Sequence, residues 1–286
     1  MTAVDRSAAL IAGYALTVAA LTACSSPSST GTSSGPSSRS GAVTVAGSTA
    51  MLPLVKEASG IYQAEHKDAR ISVSGGGSAT GIAQVAAKAI DVGDSDITAP
   101  TRPELVDHRV AVVGFAIVTN PSVGVKDLTR AQLRDVFSGA IENWNQAGGS
   151  DQKIVVVNRP RTSGTRAVFT KVVMGGARIA ESGLVQDATG TAVSVVKQTP
   201  GAVSYVALSG ITGGGVTVVS VDGVAPDEDA ITAGRYSIWS YEHMFTNGEP
   251  KGEVAAFIRF VENRADLAKK NHFIAIGAMK VHETDR

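Results

Sequence analysis

Few of the residues that carry metal, redox or nucleic-acid chemistry are present in this chain. It has one cysteine, Cys24. That excludes an intrachain disulfide framework and any multi-cysteine metal site. The five histidines, His66, His108, His243, His272 and His282, show no metal-ligand spacing. Aromatic residues make up only 5% of the chain, which leaves few platforms on which bases or sugars could stack. Lys and Arg number 26 against 26 Asp and Glu, for a net charge of zero. The basic surface that sequence-independent nucleic-acid binding needs is therefore missing. A small anion is not excluded, because a local cluster of donors suffices to hold one. From Val43 onward there is no G-x-S-x-G nucleophile elbow and no Walker-type G-x-x-x-x-G-K-[ST].

The lone cysteine is informative by its place. From Ala8 to Ala23 the chain is almost uninterruptedly small or apolar, Arg6 is the only basic residue before it, and the run ends in Leu21-Thr22-Ala23-Cys24. This resembles a bacterial lipobox, in which residues 1–23 are a signal peptide and Cys24 receives lipid. The run is shorter than the roughly 20 residues that span a bilayer. Residues 24–42 are almost only Ser, Thr, Gly and Pro after the cysteine. Such a segment cannot bury apolar surface and reads as a flexible tether. With 43% hydrophobic and 18% charged residues, the remainder has ample material for a folded core.

Within that remainder, β-branched runs alternate with helical stripes. Val43–Ala46, Ile71–Val73, Val110–Val118, Ile154–Val157 and Ala202–Val206 read as strands. Leu54, Val55, Ala58, Ile61 and Tyr62 recur at helical spacing, as do Ile82, Val85, Ala86 and Ala89. Thr129 is the expected N-cap of a helix burying Leu133, Val136 and Phe137 and ending at Gly139. Further stripes are Val168, Phe169, Val172 and Val173, and Val254, Phe257, Ile258 and Val261. The alternation predicts an α/β protein with mainly parallel sheets, whose ligand sits beyond the strand C-termini near helix N-termini. Trp144, Trp239 and Tyr205 read as core or hinge packing.

Three segments share one design: a strand, then small polar residues, then a helix. They are Gly47-Ser48-Thr49-Ala50, Gly75-Gly76-Gly77-Ser78-Ala79-Thr80-Gly81, and Arg159 through Arg166 with its Ser163-Gly164-Thr165. Each offers free backbone N–H groups and hydroxyl donors at a helix start, where an anion is favoured. Taken singly, each reads equally as an ordinary N-cap. Three of one kind point to a tetrahedral oxyanion held between them. Arg159 adds a guanidinium whose paired donors match two oxyanion oxygens. Asp96, in Asp91-Val92-Gly93-Asp94-Ser95-Asp96, reads either as a capping or surface residue or as a selective acceptor. A carboxylate beside an anion makes sense when the ligand carries a proton, since the carboxylate can only accept. It would bind a protonated phosphate oxygen and repel unprotonated sulfate.

In combination, order and spacing these motifs resemble the PstS family of phosphate-binding lipoproteins. The resemblance extends through Phe137-Ser138-Gly139, Asn143-Trp144, Pro200-Gly201-Ala202-Val203-Ser204-Tyr205, Tyr236-Ser237-Ile238-Trp239 and Gly248-Glu249-Pro250-Lys251-Gly252. It implies a two-lobed periplasmic-binding-protein fold of type II with the ligand in the interlobe cleft. It implies inorganic phosphate as ligand, an ABC permease as partner, lipid anchorage on the extracytoplasmic face of the membrane, a monomer, and no catalysis, cofactor, metal or nucleic acid. Carried over residue by residue, the phosphate ligands fall on Thr49, Ala50, Ser78, Asp96, Arg159, Ser163, Gly164 and Thr165. The chain path implied is a first lobe of residues 43–117 and 207–286 and a second of residues 118–206. Arg161 and Thr162 stand where many relatives have an acidic residue and a glycine, which implies that Arg159 loses a carboxylate partner and the site becomes more positive. Ala50 stands where some relatives place an aromatic residue, and a backbone contact survives that change. The other readings of the same residues are a receptor for sulfate, molybdate or tungstate, an adhesin or signalling lipoprotein on the same fold, and a phosphatase or acyl hydrolase using Ser163, for which the sequence offers neither metal nor base.

Overall fold

The computed structural model describes residues 41–181 and 183–282. Cys24 and the signal segment lie outside them, as does the tether up to residue 40. The chain opens with β1 (Ala42–Gly47), α1 (Leu52–Glu65), β2 (Arg70–Ser74), α2 (Ser78–Ala86) and β3 (Val92–Ser95). These form β-α-β alternations, since β1 pairs parallel with both β2 and β3. Pro53 in its first turn helps start α1, which buries Leu54, Val55, Ala58 and Tyr62. Each such large apolar side chain contributes about 1.5–3 kcal/mol when fully buried.

The long strand β4 (Leu105–Thr119) follows, then β5 (Asp127–Leu128) and α3 (Arg130–Ser138). Thr129 caps α3 through a reciprocal capping box with Gln132, and Gly139 ends it at φ 80°, as the sequence predicts. Next come β6 (Val155–Asn158), α4 (Gly164–Phe169), β7 (Leu184–Val185), α5 (Thr189–Gln198), β8 (Ala202–Ala207) and β9 (Thr217–Val221). The chain closes with α6 (Glu228–Thr232), β10 (Trp239–Asn247), α7 (Gly252–Glu262) and α8 (Ala265–Lys270). Among the described residues no helix is long and apolar enough to cross a membrane.

The sheet runs β2-β1-β3-β10-β4-β8-β6-β7, with β9 beside β4 and β5 beside β9. It is mixed, with the expected parallel pairs toward both ends and antiparallel pairs through its middle. β1, β2 and β3 are parallel, as are β6, β7 and β8, but β10 runs antiparallel to β3 and β4, and β4 antiparallel to β8 and β9. β4 changes neighbour partway along. Residues 105–114 pair with β10, and residues 115–119 pair with β8. At the change Trp239 lies opposite Gly114, and Phe115 N–H donates to Ile238 C=O at 2.8 Å. The pairing of β4 thus shifts between residues 114 and 115. β9, which the sequence reading groups with the first lobe, pairs with residues 117–119 and with β5.

Two expected boundaries also move. α2 stops at Ala86, leaving Ala89 exposed. The Val168–Val173 stripe is α4 followed by a π-helical turn at Thr170–Met174, a wider winding that helices use at single turns. Trp144 and Trp239 are fully buried, and Trp144 Nε1 donates to Gly201 C=O at 2.8 Å. Tyr205 stacks on Phe169 at 4.2 Å. All three are core residues, as expected.

Candidate functional site

The parallel strands β1, β2 and β3 end at one edge, with Gly47 opposite Asp94 and Ala46 opposite Ser74. The loops that follow are therefore neighbours before any side chain is considered. The glycine loop lies between the other two. Gly77 N–H donates to Gly47 C=O at 2.8 Å, and Ala79 N–H donates to Thr162 C=O at 3.1 Å. Gly77 needs to be glycine twice over: its φ is +90°, and a Cβ there would meet Thr162 O at 2.7 Å. Gly164 is required by close approach alone, since a Cβ there would lie 2.2 Å from Ser78 Oγ and 2.9 Å from Asp96 Cβ.

Asp96 sits just past β3 and is 1% exposed. Hydroxyls from two loops converge on it. Ser48 Oγ donates to Oδ1, and Thr165 Oγ1 donates to Oδ2 at 2.9 Å. Its backbone is held as well: Asp96 N–H donates to Ser78 Oγ at 3.0 Å, and Ser240 Oγ donates to Asp96 C=O at 2.7 Å.

Arg159 follows β6 and is also 1% exposed. Its Nε donates to Gln186 C=O, and Nη2 donates to Asp187 C=O and Thr49 Oγ1, each at 2.9 Å. Nη1 is buried with no hydrogen-bond partner among the described residues. Burial pulls the guanidinium below its usual range, opposed first by the nearby Asp96 charge, but an arginine stays charged in a protein. A buried cation with an unused donor, close to hydroxyls and helix starts, is suited to an anion.

The structure thus brings together Thr49, Ser78, Asp96, Arg159, Gly164 and Thr165. Ala50 joins through Ser48, because Ala50 N–H donates to Ser48 Oγ at 3.1 Å. Ser163 serves its own segment, accepting from Arg166 N–H at 3.3 Å as the cap of α4. Arg159 has no carboxylate bonded to it and relies on backbone carbonyls. Arg161, 83% exposed, pairs instead with Glu181 at 2.8 Å, and Arg166 shares that carboxylate at 3.1 Å.

Sequence reasoning missed four participants. Ser48 stood in the first motif but was passed over for Thr49. Thr189, within 3.3 Å of Thr49 through their hydroxyls, had no local signal beyond its position at a helix start. Asp94 and Glu242, both 0% exposed, lie in strands whose polar residues broke the apolar pattern. Burial pushes both carboxyls well above the ordinary range, and the Asp96 charge pushes them further the same way. Among the described residues no group of His, Cys, Asp or Glu is arranged to hold a metal ion.

Residues 32–264 match the PBP superfamily domain. The chain is 40% identical over 265 residues to the phosphate-binding protein PstS of Bacillus subtilis, covering 90% of this chain and 88% of that protein. A Clostridium perfringens protein crystallised with bound phosphate superposes with a TM-score of 0.77 at 28% identity, over 82% of this chain and 98% of its own. An ABC-type phosphate transport receptor from Vibrio cholerae gives a TM-score of 0.67 at 26% identity, over 81% and 99%.

Proposed function

The chain belongs to the PBP superfamily and, within it, to the PstS phosphate-binding proteins, and from that premise we propose that it captures inorganic phosphate outside the cytoplasm and delivers it to the membrane subunits of an ABC importer. Its fold is that of the periplasmic binding proteins. The ligand is held by Thr49, Ala50, Ser78, Asp96, Arg159, Ser163, Gly164 and Thr165. Arg159 Nη1 and the N-terminal turn of α4 supply donors. Asp96 accepts the proton of a mono- or dibasic phosphate oxygen, and its two hydroxyl partners leave it lone pairs to do so. The protein works by binding and release, not by catalysis. Cys24 carries the lipid that keeps it at the membrane.

We place the lobe crossings at residues 114–115, where β4 changes partner, and at 238–239, where β10 begins. The loops of residues 47–50, 75–78 and 96 then belong to one lobe, and Arg159 to Thr165 and Thr189 to the other. The bonds from Arg159 Nη2 to Thr49 Oγ1 and from Thr165 Oγ1 to Asp96, with the Thr49–Thr189 hydroxyl contact, are the contacts that closure makes and a hinge motion breaks. A permease that senses closure thereby senses loading.

The observation that carries this reading is Arg159, buried to 1% exposure with Nη1 unpartnered, in a cluster whose one bonded carboxylate is an acceptor. Calorimetric titration of the protein stripped of ligand, first with phosphate and then with sulfate, tests it. One-to-one saturable phosphate binding with sulfate silent is expected. A folded protein that ignores phosphate, or that binds sulfate equally, overturns it.

A further inference from the structure

Behind the anion site lies a second tier that the reading above does not use. β10 runs antiparallel to β3 with Met244 opposite Asp94 and His243 opposite Ser95. Continuing that register places Glu242 opposite Asp96, with Asp94 on the same face two residues earlier. Three carboxyls therefore crowd one face of two adjacent strands, each at most 1% exposed. They are not equally served. Asp96 accepts from Ser48 and Thr165, whereas among the described residues no hydroxyl or N–H donor serves either oxygen of Asp94 or Glu242, and the side-chain group within hydrogen-bond reach of Glu242 is the Asp96 carboxyl. A buried carboxylate without donors is among the costliest groups a protein can hold, and it escapes that cost by taking a proton. Like charges this close cannot all ionise.

The rest of the surroundings offer Glu242 no counter-charge. On β4 its register partner is Ala111. The ionisable residues of that strand, Asp107, His108 and Arg109, pair further along it, and Asp107 is bonded to His243 Nδ1 at 2.7 Å. α2, which packs on β3 and β10, carries no ionisable residue. The one cation in the cluster, Arg159, is committed to the first tier.

We propose that Glu242, protonated and lying across the β3–β10 ladder from Asp96, is a positioning residue of the phosphate site. Its proton holds the carboxyl cluster at a single negative charge, on Asp96. A neutral Glu242 also gives that face of Asp96 a donor in place of a second repelling charge. Asp96 then stays an obligatory acceptor, able to read the proton on phosphate and to refuse sulfate.

The inference rests on the phosphate reading, and its test separates the two. Phosphate and sulfate titrations at neutral pH compare the wild type with Glu242→Leu and Glu242→Gln, alongside infrared spectra of each. Glu242→Leu is expected to weaken phosphate about tenfold or more and to narrow the gap to sulfate. Glu242→Gln, neutral and still a donor, restores phosphate affinity to within about threefold of wild type. The protonated-carboxyl C=O band of the wild type loses intensity in Glu242→Gln. If Glu242→Gln instead tightens phosphate about tenfold, or leaves that band unchanged, Glu242 is ionised and the proposal fails. Glu242→Gln carries the decision if Glu242→Leu does not fold. A wild type that binds no phosphate sinks the function, while the infrared band still reads the protonation of Glu242.

Discussion

Asp96 and Arg159 are both 1% exposed, yet the chain satisfies them by different means. Asp96 is surrounded by side-chain hydroxyls from separate loops, Ser48 and Thr165. Arg159 is held by the carbonyls of Gln186 and Asp187 from one loop and by the Thr49 hydroxyl. Carbonyls leave the guanidinium its full charge and both N–H donors of Nη1 free. Hydroxyls spread the charge of the carboxylate without cancelling it. On the proposed reading the two halves of the site are specialised: one supplies attraction to any oxyanion, the other decides which oxyanion is accepted.

Removing the attraction should cost most. Arg159→Ala is expected to lower phosphate affinity by about three orders of magnitude, near 4 kcal/mol, because a buried charged partner is lost outright. Calorimetry reads this directly, and a loss below tenfold would mean that the helix starts alone hold the anion.

Asp96→Asn attacks the other half. It relieves repulsion of the anion while removing the acceptor and adding a donor, so phosphate itself changes less than the ratio does. The preference for phosphate over sulfate should fall by about one to two orders of magnitude. Competition titrations measure it, and an unchanged ratio would show that selectivity lies elsewhere.

The second tier adds a pH signature to stability. Glu242 is pushed above its ordinary value of 4.5 by burial and then by Asp96 and Asp94. Above that ordinary value the unfolded chain has released the proton while the folded chain keeps it. The unfolded state then binds fewer protons, so stability falls as pH rises, until the folded group also deprotonates. The loss is at most about 1.4 kcal/mol per pH unit for one group. Melting temperatures from pH 5 to 9 should show Glu242→Gln gaining on the wild type toward the alkaline end. Parallel curves would argue against a retained proton.

Arg161 should matter least. Its side chain is 83% exposed and its partner Glu181 is shared with Arg166. Arg161→Ala is expected to change phosphate affinity by less than about threefold at physiological salt, where exposed charges are screened. A larger effect would place the exposed basic cluster within reach of the ligand.

Much of this was legible from local pattern. Apolar spacing located β1, α1, β4, α3 and α7, and Thr129 and Gly139 marked the ends of α3. Ser-Gly-Thr after Arg159 marked the third loop. Two of the strands that escaped have polar interiors. β3 reads Val-Gly-Asp-Ser, and β10 carries Ser240, Glu242 and His243 at 2% exposure or less. A pattern built on burying apolar groups is blind to a strand that buries carboxyls, and the site is where such strands meet.

By itself the sequence determined that the chain alternates strands and helices, and that three of its strand–helix junctions are polar, the third opening with an arginine at a strand end. These follow from short-range rules: periodicity, capping and the freedom of glycine. Tertiary structure alone decided that β10 returns antiparallel between β3 and β4, bringing Glu242 from the far end of the chain to face Asp96. It also decided that Ser48 rather than Thr49 bonds the carboxylate, and that carbonyls rather than an acid hold Arg159. Such choices depend on which loops share an edge of the sheet, and that is set by long-range pairing that no local window contains.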